Sequence, residues 1–197
     1  MSNEEVIIKT IYHEKQILQL CLLHALNNLF QEKNLFTRAD LNALSEQLVL
    51  ADPIKQHWTR APLSVIFKPH HNALSGNYDI NVLIAALEGK GKEVVWHDRR
   101  NGADTIHLDH ESQDMLMGIV LNIPVKRFIG IWKGRHWVTL RIIEGVWYNL
   151  DSDLLHPYSF KDTREVKDFI DYIIRSGGEA FLVFHKNGDK DQEASQA

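Results

Sequence analysis

The stretch RHWVTLRIIEGVWYNLDS, from Arg135 to Ser152, leaves its part of the chain the least conformational freedom. Two runs rich in Val, Ile, Thr and aromatic residues are separated by Glu144 and Gly145 alone. A two-residue connection between such runs is a β-hairpin turn, and the turn sets the register of the two strands. With Ile143 paired to Val146, His136 falls opposite Asp153 and Asp151 falls opposite Val138. His136 and Asp151 then share one face as diagonal neighbours, roughly 7–8 Å apart between backbones. An imidazole and a carboxylate so placed are what the orientation of a general base requires. Asp153 is the rival partner, and Asn149 lies on the same face one step further along. A three-residue turn without a compensating bulge would bring Ser152 there instead. The bland alternative is a surface histidine with an acid nearby.

Further strands are expected in KEVVWH, MLMGIVLNI and EAFLVFH. Four helices are expected. The first begins near Cys21, with Leu22, Leu26, Leu29 and Phe30 on one face. TRADLNALSEQLVL follows, with Thr37 as N-cap and Asp40 three residues on, then YDINVLIAALEGKG, closed by glycines. The last is DTREVKDFIDYIIRSGG, opened by the Asp162/Glu165 pair and stopped by Gly177 and Gly178. Helices lead and strands gather later, so the fold class is α+β with a largely antiparallel sheet. One domain is expected over residues 6–186. The proline-containing stretch ADPIKQHWTRAPLSVIFKPHHNALSGN reads as an arm, lid or insertion, and residues 187–197 as a frayed tail.

Several functional classes are disfavoured. A net charge of −4 does not suit a general nucleic-acid binder. MLMGIVLNIPV is too short to span a bilayer and reads as a buried strand, and the N-terminus lacks the pattern of a secretory signal. A single cysteine cannot form an internal disulfide, so a cytoplasmic or nuclear location is expected. His107, Asp109 and His110 only loosely imitate a metal site, and no metal is expected.

The lone Cys21 is, on its own, a small buried hydrophobe. Its place at a helix start changes the odds, because unpaired N–H groups and the helix dipole there favour the anionic form of a thiol. Gln16 and Gln19 lie close by as donors for an oxyanion. Eleven histidines compete for the role of base. His24, three residues along the same helix, lies on the helix surface and reads as structural, and His13 as an ordinary polar residue. His136 is the better candidate.

IYHEKQILQLCLLHALNNLFQ resembles the opening motif of the Josephin family of papain-like cysteine protease domains. GNYDINVLIAALEGKGKEVVWHDRR and RHWVTLRIIEGVWYNLDSDL are similar to its second and third motifs, in the same order. The likeness runs from about residue 11 to 185. It implies a papain-like fold, with N-terminal helices packed on the sheet, and deubiquitination, the hydrolysis of the bond after the C-terminal glycine of ubiquitin. By resemblance Cys21 matches the nucleophile, His136 the base, Asp151 the third member of the triad and Gln16 the oxyanion-stabilising glutamine. It also implies a helical arm for gripping ubiquitin, placed here at about residues 35–77.

No cofactor is called for. The expected partner is ubiquitin or polyubiquitin conjugates, with no nucleic acid, no stable membrane insertion and a monomeric chain. Trp132, Gly134 and Trp137 flank the base and are candidates to line the slot for ubiquitin's two-glycine tail. For Trp137, on the strand face opposite His136, core packing is the better reading, and Trp96 and Trp147 are assigned to the core. A weakly active or silent ubiquitin-binding scaffold and an acyltransferase are the competing readings. The complete set Gln16, Cys21, His136 and Asp151 favours the hydrolase over the scaffold.

Overall fold

The computed structural model describes residues 10–16, 20–51, 67–68, 71–72, 77–108, 115–127 and 132–186. The side chains of residues 67, 68, 71, 72, 77, 126, 127, 132 and 133 are outside that description. The helices are α1 (Cys21–Phe30), α2 (Arg38–Ala51), α3 (Ile80–Glu88) and α4 (Thr163–Arg175). The strands are β1 (Phe67–Lys68), β2 (His71–Asn72), β3 (Asn77–Tyr78), β4 (Lys92–Trp96), β5 (Leu116–Arg127), β6 (Trp132–Ile143), β7 (Val146–Asn149), β8 (Tyr158–Ser159) and β9 (Glu179–His185). They form a six-stranded antiparallel sheet in the order β4-β9-β5-β6-β7-β8 and a small sheet β1-β2-β3. The α+β class with helices on an antiparallel sheet is what the residue pattern called for.

Strand parity sorts the core into two layers. Trp137 on β6, Phe181 and Val183 on β9 and Val120 on β5 meet α1, α2 and α3 on one face. Their neighbours Val138, Leu140, Ala180, Ile119 and Leu121 pack with Trp147 and α4 on the other. The central strands are therefore apolar on both faces, which explains their continuous hydrophobic runs. Thr139 Oγ1 donates to the Ala25 carbonyl of α1 at 2.7 Å, and the Arg141 guanidinium donates to the Leu29 carbonyl. These bonds lock the Cys21 helix onto the hairpin.

The capping residues work as their chemistry suggests. Asp40 and Thr37 bond reciprocally at the start of α2, Asp79 accepts from Asn81 and Val82, and Asp162 accepts from the Glu165 N–H at 2.9 Å. The Glu165 carboxylate does not complete the capping box on Asp162. It takes the Lys161 N–H at 2.6 Å and the Tyr158 hydroxyl at 2.5 Å, tying in β8, a strand too short to leave a pattern in the sequence.

Two features depart from expectation. Trp96 is no core residue: it is 62% exposed at the end of the edge strand β4, with one face against Phe181. The strand at 146–152 is also shorter than expected, ending at Asn149. Of the arm at about 35–77, α2 and the short strands β1–β3 are described, whereas residues 52–66 lie outside the described residues, as do residues 187–197.

Candidate active site

The Glu144-Gly145 turn has both residues at positive φ, 51° and 78°, as a type I′ turn demands. Ile143 pairs with Val146 and Leu140 with Asn149, the register expected of a two-residue turn. The Leu150 N–H continues it by donating to the Thr139 carbonyl at 2.8 Å. Beyond that point Asn149 redirects the chain. Its side-chain oxygen accepts the Asp151 N–H at 2.9 Å, an Asx turn that swings the Asp151 carboxylate back toward β6.

His136, buried at 3% exposure, donates from Nε2 to Asp151 Oδ1 at 2.6 Å. Asp153 Oδ2 stands 3.6 Å from the same nitrogen, so the rival partner is near but outside hydrogen-bond range. Burial is the largest influence on His136 and pulls its pKa down. It is outweighed by the hydrogen bond to Asp151, by the interaction with the Cys21 thiol and by the charges of both, and the net value is raised from 6.5 to about 10. The imidazole therefore carries its proton at neutral pH. Its Nδ1, the ring atom not taken by Asp151, is buried and has no protein oxygen or nitrogen partner.

Cys21 is buried at the first position of α1. Leu20, the N-cap, offers no side-chain acceptor, so no cap competes for the N–H groups of the first turn. Gln16 is anchored twice to the loop after β7. Its N–H donates to the Ser152 carbonyl at 2.8 Å, and its Oε1 accepts the Ser152 hydroxyl at 3.3 Å. The side-chain Nε2 is left as the donor end. Gln19 lies outside the described residues.

The residue pattern did not reveal what holds these groups in place. The segment from Tyr12 to Gln16 runs as a strap between α1 and the loop carrying Asp151. Gln31 brackets Tyr12, accepting its N–H at 3.0 Å and donating to its carbonyl at 3.1 Å. His13, read as an ordinary polar residue, donates from Nε2 to the Asp151 carbonyl at 2.9 Å. The Glu14 carboxylate faces His24 Nδ1 at 3.2 Å and accepts from Asn27 Nδ2 at 2.9 Å, which makes His24 a structural histidine.

Asn28, fully buried on α1, is the junction. Its Oδ1 accepts the Glu14 N–H at 2.6 Å, and its Nδ2 donates to the Glu14 carbonyl at 3.2 Å and to the Leu150 carbonyl at 2.9 Å. One amide thus joins the helix of Cys21, the strap of Gln16 and the loop of Asp151. The only local signal was a polar pair, Asn27-Asn28, on a helix otherwise buried almost all round.

Trp137 packs in the core, as strand parity favoured, and donates from Nε1 to the Tyr78 carbonyl at 3.2 Å. Gly134 lies on β6, half-buried, two residues before His136, and Trp132 begins the same strand. Among the described residues, His136, Asp151 and Asp153 are the one trio whose ligating atoms gather within 4.8 Å. The 2.6 Å separation of Nε2 and Oδ1 is a hydrogen bond. It is shorter than the roughly 3.3 Å kept by two ligands of a tetrahedral zinc. Asp109 and His110 lie outside the described residues.

A buried thiol at a helix start, an imidazole and a carboxylate in this order and geometry meet on a fold whose sequence matches the Josephin family profile over residues 16–184. The chain belongs to the Josephin family. It is 62% identical over 161 residues to a Josephin-like protein of Arabidopsis thaliana, covering 82% of this chain and 44% of that protein. It is 37% identical over 183 residues to human Josephin-2, covering 90% of this chain and 87% of that one. Human ataxin-3-like protein is 30% identical over 192 residues, covering 94% of this chain and 49% of the relative. The chain thus spans under half of the Arabidopsis relative but most of Josephin-2. Among the described residues of this Josephin chain, no helix is long and apolar enough to cross a membrane.

Proposed function

We propose that this Josephin chain is a cysteine-type deubiquitinase, hydrolysing the bond after the C-terminal glycine of ubiquitin through a thioester intermediate. The observation that carries the reading is the meeting of Cys21, His136 and Asp151, with the His136–Asp151 bond at 2.6 Å inside a buried site. His136 already holds the proton of the Cys21–His136 pair, and the sulfur attacks the glycyl carbonyl as the thiolate. Gln16 Nε2 and the Cys21 backbone N–H receive the developing oxyanion, in a place where preorganised donors are worth most. His136 then gives its proton to the departing lysine amine, and the thioester forms as the C–N bond breaks. Water, deprotonated by His136, releases the ubiquitin carboxylate and regenerates the thiolate beside the protonated imidazole. Asp151 holds the ring with Nδ1 toward the sulfur and supports the imidazolium. No step draws on a metal or organic cofactor.

Steady-state hydrolysis of a fluorogenic amide at the C-terminus of ubiquitin tests this. Turnover by the wild type and none by Cys21→Ala is expected. Binding without turnover would leave the ubiquitin-binding scaffold in its place.

A further inference from the structure

His136 faces two carboxylates, of which the proposed mechanism uses one. Past Asn149 the chain leaves the β6–β7 pairing, and the turn there brings Asp153 Oδ2 to 3.6 Å from Nε2. Its backbone N–H donates at 2.9 Å to Asp151 Oδ1, the oxygen that already accepts from His136. Asp153 therefore touches the base through its charge and touches the base's partner through its backbone. Its side chain is 54% exposed against 20% for Asp151, so water and salt screen its charge more strongly.

We propose that Asp153 is a second anionic partner of His136, a positioning residue that holds the imidazolium form to higher pH by charge alone. The inference rests on the assignment of His136 as the base. The groups set around the imidazole are Cys21 from α1 and Asp151 and Asp153 from the loop after β7, with His13 behind Asp151 at its backbone carbonyl. Arg135, the adjacent cation on β6, is engaged with Glu179 and the Gly177 carbonyl. An anion beside an imidazolium stabilises the protonated form, so removing one lowers the pH at which the proton leaves.

The experiment is an NMR titration of the carbon-bound ring protons of His136 in the full chain, for wild type, Asp153→Asn and Asp153→Glu, with salt at about 20 mM and about 500 mM. Asparagine keeps the backbone N–H on Asp151 and removes only the charge. The expected result is a midpoint lowered by about half a pH unit in Asp153→Asn at low salt, the scale of a half-exposed ion pair. That difference should shrink at high salt, and Asp153→Glu should restore most of it. The alkaline limb of kcat/KM on the fluorogenic ubiquitin amide should move by the same amount. An unchanged midpoint at low salt overturns the proposal, as does a shift of equal size in Asp153→Glu, which would be a packing effect. A wild type that never hydrolyses the amide defeats the proposed activity, while the His136 titration still decides the role of Asp153.

Discussion

At the scale of single residues, the site depends on one short hydrogen bond between two side chains that sit on opposite sides of a turn. Asp151→Asn keeps an acceptor for His136 Nε2 and loses the charge, so kcat/KM should fall about tenfold, with the alkaline limb shifted to lower pH. Asp151→Ala removes the acceptor as well, and a loss of about a hundredfold or more is expected in the same assay. The raised pKa of His136 also bears on stability. A folded value of about 10 against 6.5 means the native state holds this proton more tightly than the unfolded chain does. Its contribution is complete below pH 6.5 and is lost as pH rises through about 10. Urea denaturation across that range should show wild-type stability declining with pH, and the decline should flatten in His136→Ala. The pairing of base and acid was legible because a two-residue turn leaves the register no freedom. The choice of Asp151 over Asp153 needed the Asx turn at Asn149, which departs from strand geometry just where the sequence still reads as strand.

At the scale of elements, α1 must lie close enough to the sheet for two of its carbonyls and two of its side chains to bond the hairpin and the strap. Gly118 marks the closest approach. A Cβ there would stand 2.7 Å from both the Leu140 carbonyl oxygen and Leu29 Cδ1. Gly118→Ala should cost about 1–3 kcal/mol by chemical denaturation, because the Leu140 carbonyl cannot retreat without moving the strand. Glu144 is the opposite case, a side chain strained at φ 51° in an exposed turn. Glu144→Asn, suited to the left-handed region, should stabilise the chain by about 0.5 kcal/mol or more in the same measurement. Asn28→Ala would strand the Glu14 N–H and the Leu150 carbonyl in the interior, costing about 2–3 kcal/mol, and kcat should fall more than KM rises. The helices themselves were legible from caps and apolar spacing. The strap was not, because its bonds join residues 13 to 138 positions apart and no local pattern records them. Trp96 was misread for a related reason: it ends an apolar run, Val94-Val95-Trp96, but that strand occupies the sheet edge, and edge position is a property of topology.

For the molecule as a whole, two helical layers enclose one antiparallel sheet, and the site forms where the start of α1 meets the end of the β6–β7 hairpin. The strap from Tyr12 to Gln16 closes that junction, so the proposed nucleophile, base and oxyanion donor are held in one network rather than by three independent loops. Membership of the Josephin family was readable from three separated motifs, because each carries part of this network or of the core beneath it. The surface expected to grip ubiquitin was less readable. Part of the expected arm and the Trp132 side chain lie outside the described residues, and Trp137 is committed to the core.

The central claim is that Cys21 is a nucleophile presented to the C-terminus of ubiquitin. It is tested most directly by a ubiquitin probe with a C-terminal electrophile, read by intact-protein mass spectrometry on wild type and Cys21→Ala. The account predicts a single covalent adduct on the wild type, located at Cys21, and none on the variant. An unmodified wild type, or an adduct that persists in Cys21→Ala, would contradict it.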